Sequence, residues 1–213
     1  MAPNSANIVT KRPIPFPPHS HGMAVWPMEK PLSKTVNQSR TTITELMIPS
    51  YANFGGKIHG GILLSLMDKV AYACASKHAG NYCVTVSVDK VEFLQPVEVG
   101  ELVSMHASVN YVGKTSLIIG IRVEALNVKT NEIKHTNSSY FTMVAKGENN
   151  LPTQVPSLQL ESREDIKRFI EALKMKEIKK YANEQMDDAK SHIAVENARE
   201  ILKKERCILP HLT

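Results

Sequence analysis

His59-Gly60-Gly61-Ile62-Leu63-Leu64-Ser65-Leu66-Met67-Asp68-Lys69-Val70-Ala71-Tyr72-Ala73-Cys74-Ala75-Ser76-Lys77, followed after two residues by Gly80-Asn81, is the stretch on which the reading of this chain turns. Glycines before the run and a Gly-Asn pair after it are start and stop signals for a helix reaching to about Lys77. Ile62, Leu63, Leu64, Leu66, Met67, Val70, Ala71, Ala73 and Ala75 leave almost no polar side, so the helix is expected to be wrapped by protein. Asp68 and Lys69 interrupt the apolar stretch, which falls short of the roughly 20 residues that cross a bilayer; membrane insertion is not expected.

Outward from this helix the pattern changes to strands. Residues 34–48 favour a strand that Pro49-Ser50 would end. Beyond the helix come four strand-like stretches, 84–94, 102–112, 116–126 and 133–144, separated by turn signals at 96–100, Gly113-Lys114 and Lys129-Thr130-Asn131. With no helix between them to make a parallel crossover, the simplest expectation is an antiparallel meander. The fold class is therefore α+β, a sheet curled round one long helix. From Ser162 the character is helical again. Ser162-Arg163-Glu164-Asp165 reads as a capping box, and Ile166, Phe169, Ile170 and Leu173, then Ile193, Ala194, Ile201 and Leu202, mark an apolar side among charges of both signs. This extension is expected to pack on the domain's exterior or on a neighbouring subunit. Three segments follow: a proline-rich arm over 1–30 expected to be disordered, a main domain over 31–157, and a helical extension over 158–213.

Composition narrows the class. A chain of 213 residues with 42% hydrophobic content supports one main domain. The net charge of +5 comes from Lys and Arg scattered among acids, not clustered into a stripe, which argues against nucleic acid and suits a phosphate-bearing small ligand. Three widely spaced cysteines without C-x-x-C give no support for a disulfide framework or a zinc site. With no signal-peptide-like apolar stretch near the start, a reducing cytoplasm is the expected location.

The candidate chemistry lies in and just before the helix. Asp68 is a carboxylate in apolar surroundings, costly unless it is paired or faces a water-filled cleft, and it is the candidate general base. Gly60 and Gly61 open the helix, where amides without intrahelical partners can stabilise an oxyanion. Asn53 offers a neutral amide that can bind a carbonyl or orient water. Gly61 and Asp68, seven positions apart, share a helix face but stand about 10.5 Å apart along the axis at 1.5 Å per residue. That is too far for both to act on one carbonyl of the same chain. If both are catalytic, the site straddles two copies.

The run from Pro49 to Asp68 resembles the signature of the YciA-type acyl-CoA thioesterases. Three further segments agree in order and spacing: Val84-Thr85-Val86-Ser87-Val88-Asp89 with Phe93-Leu94-Gln95-Pro96-Val97, Val112-Gly113-Lys114-Thr115-Ser116, and Phe141-Thr142-Met143-Val144-Ala145. Together they cover about residues 34–157. The resemblance implies a hot-dog fold, domains paired edge to edge and commonly assembled as trimers of dimers, and hydrolysis of acyl-CoA to fatty acid and coenzyme A without a cofactor. It makes Asn53 and Asp68 a catalytic pair drawn from opposite subunits, with the Gly61 amide polarising the carbonyl. Gly60, His59, Phe93, Gly113, Lys114, Thr115 and Ser116 are expected at the substrate, and Thr85 and Ser87 beside the attacking water or the acyl tunnel. Tyr51 departs from the acidic residue often found there, and His59 from the bulky apolar residue of bacterial members. Rival readings are a hot-dog hydratase or dehydratase, a non-hydrolytic acyl-CoA-binding protein, and a scaffold built on the helical tail.

Overall fold

The glycine-punctuated run forms α2 (Gly60–Ala79), capped by the His59 side chain and closed by Gly80 at φ 64° and ψ 24°, a left-handed turn that glycine adopts without strain. The computed structural model describes residues 32–89 and 91–209, which belong to one unit of residues 31–213. The arm expected to be disordered lies outside the described residues.

Five strands, β2 (Thr41–Leu46), β3 (Tyr82–Asp89), β4 (Leu102–Val112), β5 (Ser116–Asn127) and β6 (Glu132–Lys146), form a sheet in the order β2-β4-β5-β6-β3. Every pairing in it is antiparallel. The simple meander thus holds only for β4, β5 and β6. β2 takes the free edge of β4, so β3 is carried to the far edge and pairs with β6. β3 also stops at Asp89, short of the expected 94.

Residues 34–48 correct the expectation of one strand. A short β1 (Ser33–Thr35) gives way to the single turn α1 (Val36–Ser39), where Thr35 and Gln38 form a reciprocal capping box, and only then does β2 begin. β1 pairs in parallel with a small strand near the helical extension, β7 (Ser157–Gln159).

α2 lies against the inner face of the sheet. Met67, Val70, Ala71 and Cys74 meet the alternate residues Val103, Met105, Ala107 and Val109 of β4, with Ile119, Ile121 and Val123 of β5 and Phe141 and Met143 of β6, in one buried cluster. Burying each large side chain there is worth about 1.5–3 kcal/mol. The helix is not wrapped all round in the single chain, however: Gly61, Ser65, Asp68, Lys69 and Tyr72 remain exposed along one stripe.

α3 (Arg163–Ser191) starts at Ser162 with the expected capping box to Asp165. It crosses the outer face of the sheet, packing Phe169 on Tyr111 with ring centroids 5.1 Å apart and burying Ala172. From Tyr181 to Ser191 every residue is exposed. The helical character expected as far as Leu202 reduces beyond Ser191 to a 3-10 turn and the short α4 (Ala198–Ile201). No helix among the described residues is long and apolar enough to cross a membrane.

Candidate active site

Asp68 sits on the open stripe of α2, opposite the edge strand β3. Thr85 of β3 donates its hydroxyl to Asp68 Oδ1 at 2.6 Å. Met143 Sδ lies 3.2 Å from the same hydroxyl, but the single proton goes to the carboxylate, the far stronger acceptor. Among the described residues Asp68 forms no ion pair, so Lys69 does not neutralise it. Asp68, Thr85, Lys69, Tyr72 and Tyr82 border a cleft of about 340 Å³ that opens at the sheet edge. A carboxylate fixed through one oxygen at the border of such a cleft can hold and deprotonate water.

The second group of residues is built at the start of α2. The loop leading in is closed on itself: Asn53 N–H donates to Lys57 O at 2.7 Å, and His59 N–H to Tyr51 O at 2.8 Å. Asn53 Oδ1 accepts the amides of Gly55 (2.9 Å) and Lys57 (3.2 Å), an Asx-type turn that orients the carboxamide. Its Nδ2 group has no partner among the described residues and is left as a donor. The Phe93 ring rests on Gly60, where an added Cβ would come 3.1 Å from Cζ. Gly60 N–H has no acceptor among the described residues, whereas Gly61 N–H donates to His59 Nδ1 at 2.9 Å. His59 is therefore an N-cap in the free chain. The Gly61 amide becomes available to another acceptor only when that ring turns aside.

The expected residues thus fall into two half-sites: Asn53, His59, Gly60, Gly61 and Phe93 at one end of α2, and Asp68 with Thr85 about two turns further along. Ser87 does not join Thr85. The β3–β6 register shifts between these two residues, and the resulting bulge at Val86 breaks the alternation that would have put both on one face. Ser87 instead accepts from Lys179 of α3 at 2.8 Å, and Lys179 also pairs with Asp89 at 2.7 Å. Gly113, Lys114, Thr115 and Ser116 form the β4–β5 turn, closed by Gly113 N–H to Ser116 O at 2.8 Å and tied to Val155 through Lys114 O. Ser116 and Ser87 border one cleft of about 540 Å³ beneath α3. Sequence reasoning missed Tyr72 and Tyr82 at the Asp68 cleft, whose rings stand 5.9 Å apart; aromatic residues within an apolar helix and at a strand start carry no separate signal. Cys74 is no nucleophile, since burial pushes its thiol up to about 12.

Similarity to known proteins fits this geometry. Residues 55–131 match the Thioesterase superfamily. The chain is 46% identical to protein VdlD of Helicobacter pylori over 145 residues, 68% of this chain and 83% of that protein. A hexameric acyl-CoA thioesterase solved in its apo form superposes with a TM-score of 0.69 at 34% identity, over 71% of this chain and 97% of that one. An acyl-CoA hydrolase from Staphylococcus aureus, solved with butyryl coenzyme A, coenzyme A and coenzyme A disulfide, gives 0.68 at 26% identity over 75% of this chain and 98% of that one. That hydrolase has also been solved with an aspartate and with a threonine changed to alanine. A carboxylate cleft, a donor-rich helix start and similarity that spans nearly the whole length of solved members together establish that the chain belongs to the acyl-CoA thioesterases of the thioesterase superfamily, on the hot-dog fold.

Proposed function

We propose that the chain hydrolyses acyl-CoA at sites shared by two copies paired along their β3 edges. In such a pair the Asp68–Thr85 cleft of one copy faces Asn53 and the α2 start of the other. The observation that carries this reading is the separation of the two half-sites along α2 in a chain whose helix stripe and sheet edge are both open. Among the described residues β3 pairs with β6 alone, and its Tyr82 and Val86 are 57% and 62% exposed. An unpaired edge with apolar side chains is a template for another strand, and a two-fold axis there would create two equivalent sites. The hexameric state of the apo thioesterase supports further assembly as a trimer of dimers.

Water held by Asp68 loses a proton to the carboxylate as its oxygen attacks the thioester carbonyl. The carbonyl oxygen, gaining negative charge, is met by Asn53 Nδ2 and Gly60 N–H of the facing copy, and by Gly61 N–H once the His59 ring releases it. The tetrahedral intermediate collapses by breaking the C–S bond. Coenzyme A leaves as a thiolate, and the acyl group leaves as a free fatty acid. Because a thiolate is a good leaving group, no metal or organic cofactor is needed in this scheme. In the S. aureus enzyme the altered aspartate and threonine stand as far apart in sequence as Asp68 and Thr85, which are 17 residues apart. That spacing supports giving Thr85 a part in the reaction. Phe93, resting on Gly60, borders the acyl thioester, and Lys114 on the β4–β5 turn is the proposed phosphate contact for coenzyme A. The three free cysteines suit a cytoplasmic location.

The test is free-thiol release from a panel of acyl-CoAs, short to long, with the wild type, Asp68→Ala and Asn53→Ala. Asp68→Ala should abolish turnover while leaving a folded oligomer. Normal turnover by that variant would refute the assignment of the base.

A further inference from the structure

A second polar cleft, of about 350 Å³, opens on the outer face of the sheet under the first turns of α3, and Arg40, Arg122 and Arg168 converge on it. It contains none of the residues assigned to hydrolysis. Its floor is an irregularity of β4: the register passes from Val109↔Ile119 to Tyr111↔Ile118, which leaves Asn110 as a bulged residue without a partner on β5. Asn110 is only 6% exposed and accepts the Ser108 hydroxyl on Oδ1 at 2.9 Å. Its Nδ2 lies against Gly120, where an added Cβ would come within 2.3 Å of it. Among the described residues that Nδ2 has no hydrogen-bond partner, although it borders the cleft. The residue is nearly buried but this amide borders the cleft, so it is placed to donate to an acceptor held there.

Arg122 and Arg168 are held so that outer nitrogens of each stay available. Glu124 takes Nε of Arg122 at 2.7 Å, and Glu164 takes Nε of Arg168 at 2.9 Å. Each carboxylate therefore orients one edge of a guanidinium. Arg168 Nη1 reaches the Ser108 hydroxyl at 3.4 Å, while the Nη groups of Arg122 and the whole guanidinium of Arg40 have no partner among the described residues. The remaining carboxylate in the lining, Glu171, pairs with Lys167 at 3.8 Å. His106 adds a ring 3.6 Å from Glu124. Glu164 and Glu171, the two carboxylates of the lining, and Glu124 beside it are thus each paired with a cation, while the Arg40 guanidinium has no ion pair among the described residues.

We propose that this cleft binds a phosphate-bearing anion, received by the Nη groups of Arg122 and Arg168, the Arg40 guanidinium and Asn110 Nδ2. Guanidinium forks match phosphate oxygens in geometry and charge, and the cleft has room for more than one phosphate. Two sources carry this chemistry, a free oligophosphate or the phosphates of coenzyme A; the second rests on the thioesterase reading above.

The experiment is calorimetric titration of the full-length chain with pyrophosphate at fixed ionic strength, comparing wild type, the double variant Arg40→Gln/Arg122→Gln, and Asn110→Asp. The aspartate keeps the shape but turns the donor into a negative charge. Wild type should bind saturably, and each variant at least about tenfold more weakly. An unchanged KM for acyl-CoA in the double variant identifies the free oligophosphate, and a raised KM at constant kcat identifies coenzyme A; both uphold the anion site. No binding by wild type, or equal affinity in all three proteins, overturns it. Because binding is read without turnover, this result stands apart from the fate of the hydrolysis mechanism.

Discussion

Replacing Thr85 by valine removes one hydroxyl while keeping the branched shape, and it isolates what that hydroxyl does for Asp68. The bond lost is short, 2.6 Å, and ends on a carboxylate. Hydrogen bonds to charged groups contribute about 1.5–3 kcal/mol. If that energy holds Asp68 in its productive rotamer, its loss should lower kcat by about 10- to 150-fold, since about 1.36 kcal/mol corresponds to a factor of ten in rate. Thr85 is exposed in the single chain, so the substitution leaves no core cavity and the urea midpoint should stay close to that of the wild type. Thr85→Ser keeps the donor and should remain within about threefold of the wild-type rate. The assay is thiol release, with kcat and KM resolved separately so that positioning is not confused with affinity. Thr85→Val turning over at the wild-type rate, or Thr85→Ser falling as far as Thr85→Val, would refute the role.

Three more expectations come from other parts of the chain. Gly120→Ala forces a Cβ against Asn110 and should destabilise by about 1–3 kcal/mol; in thermal melts, Asn110→Ala should recover part of that loss when combined with it. His59→Ala removes the N-cap of α2 and should cost about 0.5–2 kcal/mol, with His59→Asn recovering most of it in urea titrations. His78 is buried with Nε2 donating to Pro156 O at 3.0 Å and Nδ1 at 3.4 Å from the Ser39 hydroxyl, and burial, opposed by the Pro156 carbonyl, pushes its imidazole below the usual range. The unfolded chain then takes up the extra proton first, so stability should be level above about pH 6.5 and fall below it by up to about 1.4 kcal/mol per pH unit. Urea midpoints that rise on acidification from pH 6.5 would contradict this, and His78→Gln should flatten the slope.

What could be read from the sequence was local. α2 announces both its ends with glycine and its body with apolar residues, so its length came within two residues of the observed Gly60–Ala79. Asp68 stood out as a carboxylate among apolar neighbours, whereas Asn53, which alone reads as an ordinary turn residue and does form an Asx-type turn, was singled out only in combination with Asp68 and by the resemblance. Contacts set over long range did not show. Alternation within 82–89 fits pairing with β4 as well as with β6, and only the assembled sheet, with β2 already on the β4 edge, decides between them. The bulge at Val86 has no compositional mark, so Thr85 and Ser87 read as neighbours on one face when one meets Asp68 and the other Lys179. The Thr35–Gln38 capping box was present in the letters but lay hidden among β-branched residues that favour strand. The hold of His59 on the Gly61 amide depends on a side-chain rotamer, which no spacing rule supplies.

The shared site can be tested directly by mixing two inactive proteins, Asp68→Ala and Asn53→Ala, and exchanging their subunits under mild denaturation. If each site takes its carboxylate from one copy and its amide from the other, every hybrid dimer contains one doubly altered site and one intact site. Random exchange should then restore about a quarter of wild-type thiol release. A mixture with verified hybrids that stays as inactive as its parents would place both groups in one chain and contradict the account.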